Sequence, residues 1–227
     1  MGPIRRALAP ETYLNYVHSE KFKTGTLSVQ LITPLEETTA GFAALLPSVL
    51  RRGTMAHPDM RSLSTALDRL YGASIGCTVR KKGENQCVGF VAGFIDEAFV
   101  PNGEKLLEPV CDLLGELLFD PVTRNGRFLS GYVDSEKQNL IDLIRSVVND
   151  KRDYADLSLL QEMCRGERYG VDRFGSIARV RKITNQTLFR YYQQLLATAR
   201  VELFYCGSAE LARVEGALER MLAPLQR

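Results

Sequence analysis

The chain has no tryptophan, two histidines (His18 and His57) and five cysteines in 227 residues. Two histidines cannot furnish a three-histidine metal site. The five thiols, Cys77, Cys87, Cys111, Cys164 and Cys206, are odd in number and never spaced Cys-x-x-Cys. That scatter suggests neither a disulfide framework nor a zinc ribbon, and reads as reduced, mostly buried thiols. No run approaches the roughly 20 apolar residues of a membrane span, and the opening MGPIRRALAPE has arginines without an apolar stretch behind them. The expectation is a cytoplasmic chain with no membrane partner. Charge of one sign is lacking too. With 29 basic against 27 acidic residues the net charge is +2, too small a field to imply a nucleic-acid partner. No glycine-rich phosphate loop is present. Ser208 lacks both the G-x-S-x-G elbow and the histidine partner of a serine hydrolase.

What is present is ordinary for a globular protein: 45% hydrophobic and 25% charged residues. The length suits one large domain or two small ones. Residues 13–18 and 24–33 read as strands joined by a polar turn, since Leu27, Val29 and Leu31 alternate with Thr26, Ser28 and Gln30. In residues 38–54, Phe42, Leu45, Leu46, Val49 and Leu50 fall at helical spacing, predicting a helix with one broad apolar face and a kink at Pro47. A second helix opens at Pro58-Asp59 and closes at Tyr71-Gly72. Residues 73–80 and 86–94 read as a hairpin with the charged Arg80-Lys81-Lys82 at its solvated tip.

Helices follow over residues 104–119, 128–148 and, through Tyr154, Leu157, Leu160 and Met163, a further segment after Asn149-Asp150. Residues 166–175 read as loop, Thr184 as the cap of another helix, residues 200–206 as a last strand and 210–222 as a closing helix. Hairpins alternating with helix pairs predict one α+β domain, its helices covering one face of a largely antiparallel sheet.

Residues 38–54 end in Arg52-Gly53-Thr54. Together with Leu70-Tyr71-Gly72-Ala73, Phe119-Asp120-Pro121, Glu136-Lys137 and Asn149-Asp150-Lys151, this stretch resembles the insulinase, pitrilysin and mitochondrial processing peptidase family of zinc metallopeptidases. Set on the shared Gly53-Thr54, the family's inverted His-x-x-Glu-His motif falls on Ala44-Leu45-Leu46-Pro47-Ser48. The resemblance therefore puts the two histidine ligands at Ala44 and Ser48 and the general base at Pro47. Its third ligand, seven residues after the Glu of a Glu-Arg pair, falls on Leu143. None of these side chains can ligate zinc or take a proton. Asp142 is adjacent, but one residue turns a helical side chain by about 100°.

The chain thus looks like a zinc peptidase whose site has been erased, and no zinc or other cofactor is expected. The family's substrate-binding edge strand corresponds to Ala73, Ser74, Ile75, Gly76 and Cys77, with its Asn-Ala replaced by Gly76-Cys77. The resemblance implies an α+β lobe with a sheet of about six strands. Residues 1–227 would form one such lobe, the N-terminal half of a two-lobe protein. It is closest to the bacterial, ligand-less branch, whose members are encoded beside an active paralogue and include proteins associated with elongation factor P modification. Two readings follow: a non-catalytic subunit pairing with an active zinc-peptidase paralogue around a peptide substrate, or a stand-alone peptide- or protein-binding module linked to translation-factor modification.

Overall fold

The computed structural model describes residues 2–225. The nominal ends of the expected lobe, Met1 and Arg227, and the neighbouring Gln226 lie outside the described residues. Among the described residues six strands form one sheet: β1 (Ile4–Ala9), β2 (Thr12–His18), β3 (Thr24–Pro34), β4 (Ser74–Lys82), β5 (Asn85–Ile95) and β6 (Arg200–Gly207). Their order is β1-β2-β6-β3-β5-β4. Every pairing is antiparallel except β2 with β6, which run parallel from Thr12↔Val201 to His18↔Gly207. The α+β architecture and the mostly antiparallel six-stranded sheet are as the sequence implies.

The local pairing differs in one respect. The strands read as joined through His18-Ser19-Glu20-Lys21 are not neighbours, because β6 lies between β2 and β3. The partner of β2 on its other side is β1, which the sequence reading missed. It is only six residues long, two of them arginines, and lacks a clean alternation. Pro10 and Glu11, the latter at φ 51°, turn it back onto β2.

Among the described residues eight α-helices accompany the sheet: α1 (Ala40–Leu50), α2 (Met60–Arg69), α3 (Leu107–Phe119), α4 (Ser130–Ser146), α5 (Lys151–Met163), α6 (Ile177–Val180), α7 (Asn185–Thr198) and α8 (Leu211–Leu222). The Leu27, Val29 and Leu31 side of β3 joins Val88, Phe90 and Ala92 of β5 and Val201, Leu203 and Tyr205 of β6 in the core, under the helices. The opposite side, with Asn15, Ser28, Gln30, Glu202 and Phe204, is bare and forms a shallow concavity.

Helix α1 is the centre of the helical layer. The sequence predicts one apolar face, yet nine of its eleven residues are buried, Ala40, Gly41, Ala43, Ala44 and Pro47 among them. Small residues allow this: Gly41 lies so close to Val180 that an added Cβ would stand 3.0 Å from its methyl carbon. The helix runs on through Pro47. Helices α2 and α7 begin in capping boxes, Asp59 with Ser62 and Thr184 with Thr187. In contrast α5 buries no residue at all: Tyr154 is 50% and Met163 74% exposed. Its expected apolar stripe meets no core. No helix among the described residues is long and apolar enough to cross a membrane.

Candidate functional site

The end of α1 is locked by backbone approach. Gly53 has no room for a side chain, since a Cβ there would meet His57 O and the Pro58 backbone at 2.7 Å. Fully buried Thr54 donates its hydroxyl to Glu116 Oε2 at 2.9 Å and accepts from His57 N at 2.9 Å. Gly53 O and Asp120 O take the N–H groups of Val122 and Met55, and Thr54 bridges to Pro121. The Arg-Gly-Thr and Phe-Asp-Pro motifs, far apart in sequence, are two sides of one clasp joining α1 to the end of α3. Pairing of the buried Thr54 hydroxyl and of the backbone groups around it explains these residue types without any chemistry.

Arg52 points the other way. Its Nε donates to Glu136 Oε1 and its Nη2 to Ser135 Oγ, both at 2.6 Å, and the guanidinium lies 5.6 Å from the Tyr132 ring centre. This pins α4 against α1, the two helices that carry the positions aligned with zinc ligands. Ala44 is 3% exposed and Pro47 is buried, both within the core side of α1. Ser48, one turn after Ala44, is half-buried.

Leu143 follows Glu136 by seven residues, nearly two turns, so both project from the same side of α4. At 47% exposure, however, Leu143 stands in solvent. Asp142 is turned away and engaged by Gln138 Nε2 at 2.9 Å and Arg145 Nη1 at 3.5 Å. It therefore does not take the place of Leu143.

The edge strand reaches this spot through Cys77. Its thiol lies beside Ser48, and burial pushes its pKa up to about 11, the charge of Arg51 and the Ser48 hydroxyl opposing the shift and the charge of Glu136 adding to it. At neutral pH it is a protonated thiol, a poor nucleophile and a poor metal ligand. Ala73 and Ile75 are buried, while Ser74 and Gly76 are exposed. Strand β4 ends the sheet, paired with β5 on one side and, among the described residues, with no strand on its other edge.

Arg51 and Glu136 were not singled out from sequence as neighbours of Cys77. Arg51 closes α1, and only the packing of α1 between β4 and α4 brings the three together. Among the described residues no three His, Cys, Asp or Glu side chains are grouped as a metal ion requires. The other candidates stay local. His18 is shared between Tyr16 OH at 3.1 Å and Glu20 at 3.7 Å. His57 sits at the entry of α2 near Glu116. Cys77 and Cys87 are out of register, opposite Phe90 and Arg80 respectively, and all five thiols are free.

A six-stranded sheet with helices on one side and a central helix clasped through Gly53-Thr54 define the class. The chain is an M16-like peptidase lobe. No family model matches it. It is 35% identical over 211 residues to the probable inactive metalloprotease YmfF of Bacillus subtilis, an alignment covering 93% of this chain and 50% of that protein. A conserved protein from Enterococcus faecalis superposes with a TM-score of 0.89 at 28% identity, over 96% of this chain and 52% of that one. The peptidase M16 inactive domain from Pseudomonas fluorescens shares the fold at a TM-score of 0.75 and 15% identity, over 99% of this chain and 51% of that one. The chain spans about half the length of these relatives.

Proposed function

We propose that this chain is one lobe, the N-terminal one, of a two-lobe non-catalytic subunit that pairs with an active zinc-peptidase paralogue and helps align an extended peptide. The observation that carries this reading is the combination at α1 and α4. All three aligned ligand positions hold Ala44, Ser48 and Leu143 and the base position holds Pro47, yet the clasp and the Arg52–Glu136 pair that fix the two helices are intact. A scaffold kept in order without its chemistry supports a role in assembly or binding, with zinc and base supplied elsewhere. The free edge of β4 supports the peptide, because unpaired N–H and C=O groups accept an added strand whatever its sequence.

The test is affinity purification of the full-length native protein, with mass spectrometry of what accompanies it. A stoichiometric homologue bearing His-x-x-Glu-His is the expected result. Recovery alone, or with a translation factor and no such homologue, overturns the paired-subunit reading and favours the stand-alone binding module.

A further inference from the structure

We propose that the peptide taken up along β4 carries a bulky apolar side chain and, four residues away on the same face, an acidic one. This rests on the edge-strand reading above and adds to it a preference written in the side chains of β4.

Side chains alternate along a strand. On β4 the odd positions turn to the helices: Ile75 is buried, Cys77 lies beside Ser48, and Lys81 Nζ donates to Tyr169 O at 2.8 Å and Val171 O at 3.4 Å. The even positions, Ser74, Gly76, Thr78, Arg80 and Lys82, belong to the bare side. There Arg80 and Lys82 line a concavity of about 600 Å³ together with Gln30, Val91 and Phe204. Among the described residues neither Arg80 nor Lys82 has a carboxylate partner. Glu202, the acid in that concavity, is already held by Arg5 and Arg200. The rim next to the free edge is therefore positive and unmatched.

Gly76 supplies the other half. A Cβ built there would have only Val91 O nearby, at 3.9 Å, and its same-face neighbours are the short Ser74 and Thr78. A strand added outside β4 would run about 4.8 Å away, its side chains alternating in step. The residue opposite Gly76 can then lean across the glycine onto half-buried Val91, the cross-strand cover that an edge glycine invites. Four residues on, about 13 Å along the strand, the same face of the peptide meets Arg80, with Lys82 beside it. Opposite charges there are favoured and like charges are not.

The experiment is fluorescence anisotropy of full-length protein with labelled, extended peptides of about ten residues. One carries Phe with Glu four residues later, a second has the order reversed, and two controls replace Glu by Gln or Phe by Ala. The better-oriented Glu peptide should bind about tenfold tighter than its Gln control, the sum of two partly exposed ion pairs. The gap should close near 0.5 M salt, where charges are screened within a few ångström. The double variant Arg80→Glu with Lys82→Glu should lose the preference and regain affinity for a peptide with Lys in place of Glu, which also shows that the variant is folded. Equal binding of Glu and Gln peptides overturns the acidic preference while leaving β4 as a peptide edge. Equal binding of Phe and Ala peptides overturns the role of Gly76. Binding of none of the peptides overturns the edge-strand reading itself.

Discussion

Replacing Arg213 by Met tests whether charge pairing holds the closing helix onto the lobe. Arg213 on α8 donates to Glu108 of α3 at 2.7 and 2.6 Å, and to both oxygens of Glu97, in the turn after β5, at 2.6 Å. Glu97 also accepts from the N–H groups of Leu106 and Leu107 at the start of α3, so three segments meet at one guanidinium. The three side chains are 27%, 25% and 22% exposed, between the surface case, where a pair contributes about 0.2–1 kcal/mol, and the buried case, where removing one partner costs about 3–5 kcal/mol. With two carboxylates left facing each other and the apolar stem retained, the variant should lose about 2–3 kcal/mol at pH 7.

The pH dependence follows in sign. Burial alone would raise Glu97, but Arg213 and the Leu106 and Leu107 N–H groups outweigh it and hold the carboxyl below its usual range. Glu108 is lowered chiefly by its bonds to Arg213. A depressed folded pKa gives stability that is present above the unfolded value of about 4.3 and lost as pH falls through the folded one. The gap between wild type and Arg213→Met should therefore be full at pH 7 and narrow below about pH 4.5. Urea unfolding followed by circular dichroism at several pH values reads both quantities. A difference under about 0.5 kcal/mol at pH 7, or one unchanged at pH 3.5, would refute the argument.

Three further outcomes are expected. Arg52→Met and Glu136→Met should each cost about 2 kcal/mol, while the double variant costs clearly less than their sum; strict additivity in a double-mutant cycle would show that α1 and α4 do not depend on this pair. Gly89→Ala should destabilise by more than about 4 kcal/mol, because its Cβ would stand 2.0 Å from Val29 O in the neighbouring strand. It should show up as loss of soluble, cooperatively unfolding protein. Ala44→His, Ser48→His and Leu143→Glu combined should bind one equivalent of zinc by metal analysis after dialysis. A metal-free triple variant would mean that exposed Leu143 does not converge with α1.

The helices with strong local signals were legible in the sequence because their information is local. Asp59 and Thr184 mark their own caps, and the leucines of α3 repeat at 3.6 residues. Where the reading failed, the deciding contacts were distant. Nothing near Thr24 announces that a strand from residue 200 onward separates it from β2, and a pattern of apolar residues in α5 does not say that no core awaits them. Helix α1 shows the converse: its alanines and glycine look neutral in isolation, and only the elements packed around them make them part of the core. Of the candidate site, the burial of Ala44 and Pro47 and the exposure of Leu143 were not legible in the sequence, since they depend on what packs against α1 and α4. The meeting of Cys77 with Ser48, Arg51 and Glu136 required the third dimension. Equally hidden was the hairpin tip, which is Gly83-Glu84, so that Lys81 and Lys82 belong to the strand itself.

The insertion of β6 between β2 and β3 sets the order in which the lobe can be made. The β1–β2 hairpin, the first part of these residues to leave a ribosome, has no sheet to join until residues 200–207 have been synthesised, since β6 is the strand that ties it to the rest. During that interval the growing chain holds two separate pieces of sheet, the early hairpin and the three-stranded β3-β5-β4 piece, each with a raw edge matched to the same late strand. Such long-range closure is slow and leaves hydrophobic strands exposed to other chains meanwhile. A nascent lobe stalled before Arg200 is thus an aggregation hazard, whereas one that has gained Arg200–Gly207 can join its two pieces into one sheet.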